Sequence, residues 1–375
     1  MSTETATISS TAFLDGITEV LSRATPLVEQ HEVDGTYPHA LARELLGTGI
    51  ARLILDPPRE LENPAQLFCT SVEAIAHEWV ALAESIHLQT LAACAVFRFG
   101  SPALLATLGP GLAAGSVLAA NCIGEDNAGS DIAAIALTAR REGDGFLMSG
   151  TKTWVGHAPI AGLLNVYART SDAGMGGITC FLVDADSPGI EIGPPAAKLA
   201  AGALPTADIT FTDTPVPAER MLGRLNRGAR VAELLLTQGR IGLAACALGL
   251  GQAAMDRAVE FAKRRRQFGS EIINYQGVSF LLADMATQLQ AARQLLLLAC
   301  REIDTGGPSA TLLCAQAKLF ATDTAMKVTT DAVQVLGATA YKRGEAVERW
   351  MREAKLLQIL QGTNQIQRQT IVSRL

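Results

Sequence analysis

The sequence predicts an α+β fold in three units: an N-terminal helical domain, a central antiparallel β domain and a C-terminal helical bundle. Three observations predict it. Apolar residues recur at three- and four-residue spacing as far as about residue 118, as in Ile75, Trp79, Leu82 and Ile86. Short β-prone runs separated by Gly, Pro and Asp then occupy about 119–223. Helical periodicity then returns and holds to about residue 360. The expected boundaries are 1–118, 119–225 and 226–375.

In the central unit the predicted strands are 145–148, 164–168, 178–183 and 209–211, forming a small sheet or barrel. The next segment, 230–268, would form one helix of roughly 55 Å, with Gly269 as its stop. Helices of that length usually belong to bundles. Further helices are expected over 275–304, 311–336 and 346–360, the last with a stripe through Val347, Trp350, Met351, Ala354 and Leu357 and ended by Gly362.

Composition excludes several classes of function. At 375 residues the chain suits two or three packed units, and 49% hydrophobic against 18% charged residues implies a large buried interior and a subunit interface. A formal charge of −6, with no basic run longer than 263–266, excludes nucleic acid as a partner. The seven cysteines are scattered without a Cys-x-x-Cys pair, which implies buried thiols in a reducing compartment and neither a metal site nor disulfides. Residues 1–11 lack the basic start and apolar run of a secretory signal, so a cytoplasmic location is expected. The most apolar stretches, such as 241–250, are broken short of the roughly 18 residues that span a membrane, so no membrane association is expected. No Gly-x-Gly-x-x-Gly lies between a strand and a helix, so a cofactor would be held by another device.

Several motifs carry the chemistry. The loop Asn121-Cys122-Ile123-Gly124-Glu125-Asp126-Asn127-Ala128-Gly129-Ser130-Asp131 resembles the Thr-Glu-Pro-x-Ala-Gly-Ser-Asp signature of acyl-CoA dehydrogenases, and Gly150-Thr151-Lys152-Thr153-Trp154-Val155 resembles that family's Gly-x-Lys-x-Trp-Ile strand. The segments 216–223, Arg265-Arg266-Gln267-Phe268-Gly269, Gln334-Val335-Leu336-Gly337 and Gly362-Thr363-Asn364-Gln365-Ile366-Gln367-Arg368 resemble further family blocks in the same order. The N-terminal third matches only in helical character.

The resemblance implies a C-terminal four-helix bundle and an FAD in an extended cleft shared between the subunits of a homodimer or homotetramer. It places Ile123, Gly124, Ser130, Trp154 and Gly156 around the flavin ring and ribityl chain. Arg265, Gln267, Phe268, Gln334 and Gly337 of a neighbouring subunit would meet the pyrophosphate and adenine, and Thr363 and Gln365 would complete the flavin site. Arg265 can make bidentate, charge-assisted contacts to phosphate, and Phe268 offers a wall for a ring. The bland alternative for the basic run, a complement to a helix dipole, is weaker in this motif context.

The implied reaction removes the α-proton of an acyl thioester, acyl-CoA or acyl-carrier protein, while the β-hydride passes to the flavin, with an electron-transfer flavoprotein or oxygen as the final acceptor. Here the sequence departs from the family. The catalytic glutamate's usual place is taken by Gln361, whose amide cannot accept a proton at neutral pH. Its alternative place, directly before Arg240, is Gly239. Gly124 and Gly156 replace threonines beside the ring. Gln361 keeps the backbone N–H that would polarise the thioester carbonyl. Competing functions are therefore a flavin-dependent monooxygenase or a redox-neutral isomerase on the same fold, a dehydrogenase impaired by the Glu-to-Gln exchange, and a homologue that binds without turnover. His87 and His157 are each expected to be structural or pocket-lining and stand as reserve candidates; should another base exist, His157 and Glu125 are expected first.

Overall fold

The computed structural model describes residues 10–375; the reading of the N-terminal segment as lacking a secretory signal lies largely outside them. Seven helices come first: α1 (Ser10–Leu21), α2 (Thr25–Asp34), α3 (His39–Gly47), α4 (Arg52–Leu55), α5 (Pro64–Glu78), α6 (Val80–Phe99) and α7 (Pro102–Ala113). Ile75, Trp79, Leu82 and Ile86 are all buried, as their spacing predicts, but they do not share one helix. Trp79 takes an extended conformation (φ −157°, ψ 106°) and separates α5 from α6. The break lets its indole Nε1 donate to Glu32 Oε1 at 2.7 Å, so a buried polar tip is satisfied where a continuous helix would have aimed it elsewhere.

The strands are β1 (Ala119–Cys122), β2 (Thr138–Glu142), β3 (Gly145–Gly156), β4 (Leu163–Arg169), β5 (Ile178–Asp184), β6 (Ile190–Ile192), β7 (Thr206–Pro217) and β8 (Met221–Leu222). Their order is β6-β7-β3-β2-β4-β5-β8, with β1 beside β4. The sheet is mixed, which corrects the antiparallel expectation: β1 runs parallel to β4 over four residue pairs and β2 meets β4 in parallel at Thr138 and Arg169. The segment between β1 and β4 contains a whole hairpin and is long enough for the crossover that parallel pairing requires. The hydrogen-bonded path is open, ending at β6 and β8. β3 and β7 run much farther than their predicted cores because two register shifts carry them past polar positions.

A second helical part follows, with α8 (Gly228–Arg264), the short strands β9 (Arg266–Gln267) and β10 (Ser270–Glu271), then α9 (Gln276–Asp304), α10 (Ala310–Leu336), α11 (Ala346–Ile359) and α12 (Asn364–Val372). Gly269 does not stop α8. It forms with Phe268 the two-residue turn of the β9–β10 hairpin, at φ 85° and 49°. Positive φ at both positions is what a hairpin with the right strand twist demands. The final helix α12 was not expected; it begins at Thr363, whose side chain accepts the Ile366 N–H.

α6 and α8 contain apolar windows long enough to cross a membrane, against the expectation that no stretch reaches that length; 89% and 78% of those windows are buried inside the protein. They are interior helices because α8 lies against α5, α6, α9, α10 and α11. Gly249 shows how close that packing is, since a Cβ there would meet the Glu73 carbonyl oxygen at 2.2 Å. All seven cysteines are free and buried.

Glu353 on α11 is fully buried, with Arg349 Nε 3.6 Å away and neither carboxylate oxygen hydrogen-bonded among the described residues. Burial pushes its carboxyl up to about 8, with Arg349 opposing. A folded-state value above the unfolded 4.5 means that the folded chain holds the extra proton, so this contribution is present at low pH and is lost as pH rises towards 8. Between pH 6.5 and 7.5 stability is expected to decline, by at most about 1.4 kcal/mol per pH unit for each such group. Glu353→Gln should flatten that decline in urea midpoints measured across the interval; an unchanged slope would show that Glu353 is already ionised.

Candidate active site

One wall of the site is built by the loop after β1 and by β3. Lys152 of β3 is inaccessible, and its Nζ donates to Glu125 Oε1 at 2.7 Å and to the Ile123 carbonyl at 2.9 Å. Glu125 also accepts the Ala136 N–H at 2.7 Å and the Leu137 N–H at 3.0 Å. Buried charges are retained when paired and hydrogen-bonded in this way, and here they pin the loop onto the strand. The Thr153 N–H then donates to the Gly124 carbonyl at 2.9 Å. Next comes a bulge, where Trp154 adopts φ 56° and its backbone N–H turns to Asp208 Oδ1 at 3.0 Å. The bulge throws the indole outward, 68% exposed, which is unusual for so large an apolar side chain in a strand. Ser130 lies exposed on the same loop.

Gly156 ends β3 against α6: a Cβ there would meet Leu88 Cδ1 at 3.0 Å. The next residue on α6 is His87, and its Nε2 lies 3.3 Å from Gln361 Oε1. Gln361 stands in the turn before α12, at φ 50°, followed by Gly362 at φ 87°. The Gly362 carbonyl accepts from Lys318 Nζ at 3.1 Å and from Gln367 Nε2 at 2.8 Å. Lys318 is buried on α10 and also donates to the Gln358 carbonyl and to Asn364 Oδ1, so one ammonium clamps both ends of the turn. Burial lowers that ammonium to about 8.

α8 supplies the floor. A Cβ at Gly239 would meet Gln361 Oε1 at 2.0 Å, so the two positions expected from sequence to seat a base converge on one point. A Cβ at Gly242 would meet His87 Nδ1 at 2.1 Å. The bare backbone of α8 therefore makes room for both side chains. Burial pulls the His87 imidazole down to about 4, with the contacts to Gln361 and Gly239 opposing. Glu84, one turn earlier on α6, is pushed up to about 8 by burial, with Cys246 Sγ donating to its Oε2 at 3.9 Å. Among the described residues, buried atoms without hydrogen-bond partners gather here: Glu84 Oε1, His87 Nδ1 and Gln361 Nε2. Such a concentration marks a place where a bound group would complete the pairing.

The expected reserve bases are corrected. The Glu125 carboxylate is committed to Lys152 and two backbone N–H groups. His157 is buried between Ser85 Oγ at 2.9 Å and the Ala119 carbonyl at 3.4 Å. The imidazole that reaches Gln361 is that of His87, expected from sequence to be structural or pocket-lining and placed behind His157 as a reserve candidate. Its neighbours lie in segments remote along the chain, so no local pattern points to it. Glu84 and Lys318 were missed for the same reason.

The remaining expected residues stand elsewhere. Arg265, Gln267 and Phe268 are exposed just beyond α8, Phe268 at 98%, with Tyr275 Oη donating to the carbonyls of Gln267 and Phe268. From Gly239 to that end is about 40 Å of helix axis. Gln334 and Gly337 are exposed at the C-terminal end of α10, Thr363 caps α12 and Gln365 is exposed in its first turn.

Comparison with known proteins accords with this architecture. Residues 226–375 match the acyl-CoA dehydrogenase C-terminal domain and 120–214 the middle domain. The chain is 34% identical over 351 residues to cyclohexane-1-carbonyl-CoA dehydrogenase of Geobacter metallireducens, covering 93% of this chain and 92% of that one. Butyryl-CoA dehydrogenase from Megasphaera elsdenii superposes with a TM-score of 0.93 at 32% identity, over 100% of this chain and 99% of that one. PigA, solved with FAD and proline, superposes at 0.90 with 25% identity over the same shares. Fold and relatives together define an oxidoreductase of the flavoprotein class. The chain belongs to the acyl-CoA dehydrogenase family.

The two bare α8 positions differ in what an added methyl would meet. Gly239→Ala meets the free end of a flexible side chain, whereas Gly242→Ala meets a buried ring. Gly242→Ala is expected to destabilise by about 1–3 kcal/mol and Gly239→Ala by clearly less. Urea midpoints check this; equal effects would show that His87 moves as freely as Gln361.

Proposed function

We propose that this protein is an FAD-dependent α,β-dehydrogenase of acyl thioesters, acyl-CoA or acyl-carrier protein, with Gln361 in the place of the family glutamate. The observation that carries the reading is the meeting of the Trp154–Gly156 wall with the Gln361 turn across α6. Bound FAD would supply a hydride acceptor. The outward Trp154 indole, the bare Gly124 and Gly156 and the loop at Ile123 and Ser130 suit its ring, with Thr363 and Gln365 adjoining. Gln361 would orient the thioester through its backbone N–H, because a preorganised donor beside the carbonyl stabilises the charge that develops on deprotonation.

The adenine and pyrophosphate groups would be met by Arg265, Gln267, Phe268, Gln334 and Gly337 of another copy. The roughly 40 Å of α8 between Gly239 and Arg265 favours two copies sharing each site. A homodimer or homotetramer in the cytoplasm, delivering electrons to an electron-transfer flavoprotein or to oxygen, fits this reading.

The purified protein is expected to carry noncovalent FAD, and anaerobic addition of acyl-CoA thioesters is expected to bleach its visible absorbance. Protein that neither retains nor takes up FAD overturns the reading. Arg265→Ala is expected to weaken FAD binding, by about tenfold or more for the loss of a charge-assisted phosphate contact, while leaving the unfolding midpoint nearly unchanged. Equal FAD affinity in equilibrium titration would return Arg265 to a helix-end role.

A further inference from the structure

We propose that His87 takes the α-proton of the acyl thioester, from the point on which the two empty carboxylate positions converge. The proposal rests on the dehydrogenase reading above. Three elements reach that point: α8 through Gly239, the α11–α12 turn through Gln361 Oε1, and α6 through His87 Nε2, 3.3 Å from that oxygen.

Of the side chains gathered there, His87 is the one suited to accept a proton. The Gln361 amide is not basic, and Lys318 is a cationic donor. Glu84 already holds its proton at neutral pH because of its burial. Glu125 and His157 are committed elsewhere. Burial keeps the His87 ring neutral, and in the tautomer with its proton on Nδ1 the lone pair lies on Nε2, the nitrogen that faces Gln361.

The ring's place is cut into the fold. Gly242 would collide with it if it carried a Cβ, while Phe68 packs on another side with its ring centroid 6.4 Å away. Gln361, by contrast, is lightly held: its Nε2 has no hydrogen-bond partner among the described residues, and its Oε1 meets His87 through a long contact. An entering acyl chain can turn that amide aside and bring Cα to the imidazole. Catalytic contacts are commonly loose before substrate binds.

In this step the Cα–H bond breaks and its proton passes to Nε2 of the neutral ring. The Cα electron pair becomes the second bond of the Cα=Cβ product, and the hydride lost from Cβ would be taken by bound oxidised flavin dinucleotide. The thioester loses two electrons and the flavin gains two. Negative charge developing on the thioester beside the ring favours the imidazolium and offsets its burial.

The test separates proton removal from turnover. Holoprotein is incubated in D2O with a 3-thia-acyl-CoA, whose β-sulfur has no hydride to give, and NMR follows α-proton exchange. Wild type is expected to exchange, and His87→Asn and His87→Gln to slow exchange by roughly 10² with FAD content and thioester affinity retained. Adding Gln361→Glu to His87→Asn is expected to restore exchange, because it returns a carboxylate to the same point. Exchange at the wild-type rate in both His87 variants overturns the proposal, as does loss of exchange in Glu84→Gln but not in His87→Asn. If the His87 variants unfold, failure of Gln361→Glu to restore folded, exchanging protein also overturns it. A wild type that is bleached by acyl-CoA but unaffected by His87 substitution refutes His87 alone. A wild type that neither exchanges nor bleaches refutes the dehydrogenase reading, and the proposal with it.

Discussion

The structure depends on the side-chain-free face of α8. Gly239, Gly242 and Gly249 lie within one side of the helix, at successive offsets of three and seven residues. At Gly249 the space admits the backbone of α5; at Gly242 it admits an imidazole and at Gly239 an amide. Glycine inside a helix costs about 1 kcal/mol relative to alanine, so this face is maintained against helix propensity. What offsets the cost is burial: α8 is the helix on which the N-terminal helices and the C-terminal bundle both pack, and close approach increases dispersion contact on every side.

That packing explains why the polar cluster exists. Water is excluded from Glu84, His87 and Lys318 by the same helices that bring them near the Gln361 turn. Each ionisable group responds as low dielectric requires: the carboxyl is pushed up, and the imidazole and ammonium down. Lys318 is the satisfied member and has a structural task, holding the turn that presents Gln361. The others retain unpaired atoms, which a core built for stability alone would avoid. The contrast with Lys152 and Glu125 is instructive, since that buried pair is fully hydrogen-bonded and serves to fasten a loop.

Much of the architecture was legible because period is local. The long helices α8, α9, α10 and α11 show their 3.6-residue repeat over many turns, and β4 and β5 show continuous β-prone runs. Features settled by distant partners were not legible. The helix break at Trp79 follows from Glu32 on another helix. The parallel pairing of β1 with β4 joins strands separated by an entire hairpin. α12 is short and polar, and its cap at Thr363 is visible only once the turn before it is seen. Gly269 was read as a helix stop, whereas it turns a hairpin, because that depends on residues pairing across it.

The site divides along the same line. The proposal that Gln361 and Gly239 stand where the family seats its carboxylate is a reading of single residues in motif context, open to the sequence alone. The sequence also determined that the loop at Ile123 and Gly124 accompanies Trp154, because both motifs lie in one short stretch. Only the tertiary structure decided that Gly239 and Gln361 share one point and that His87 completes it. The 3.3 Å contact joins residues 274 positions apart and reflects no local pattern. Sequence records which groups can ionise, whereas the packing of three helices decides which are desolvated, which are spent on partners and which are left free to react.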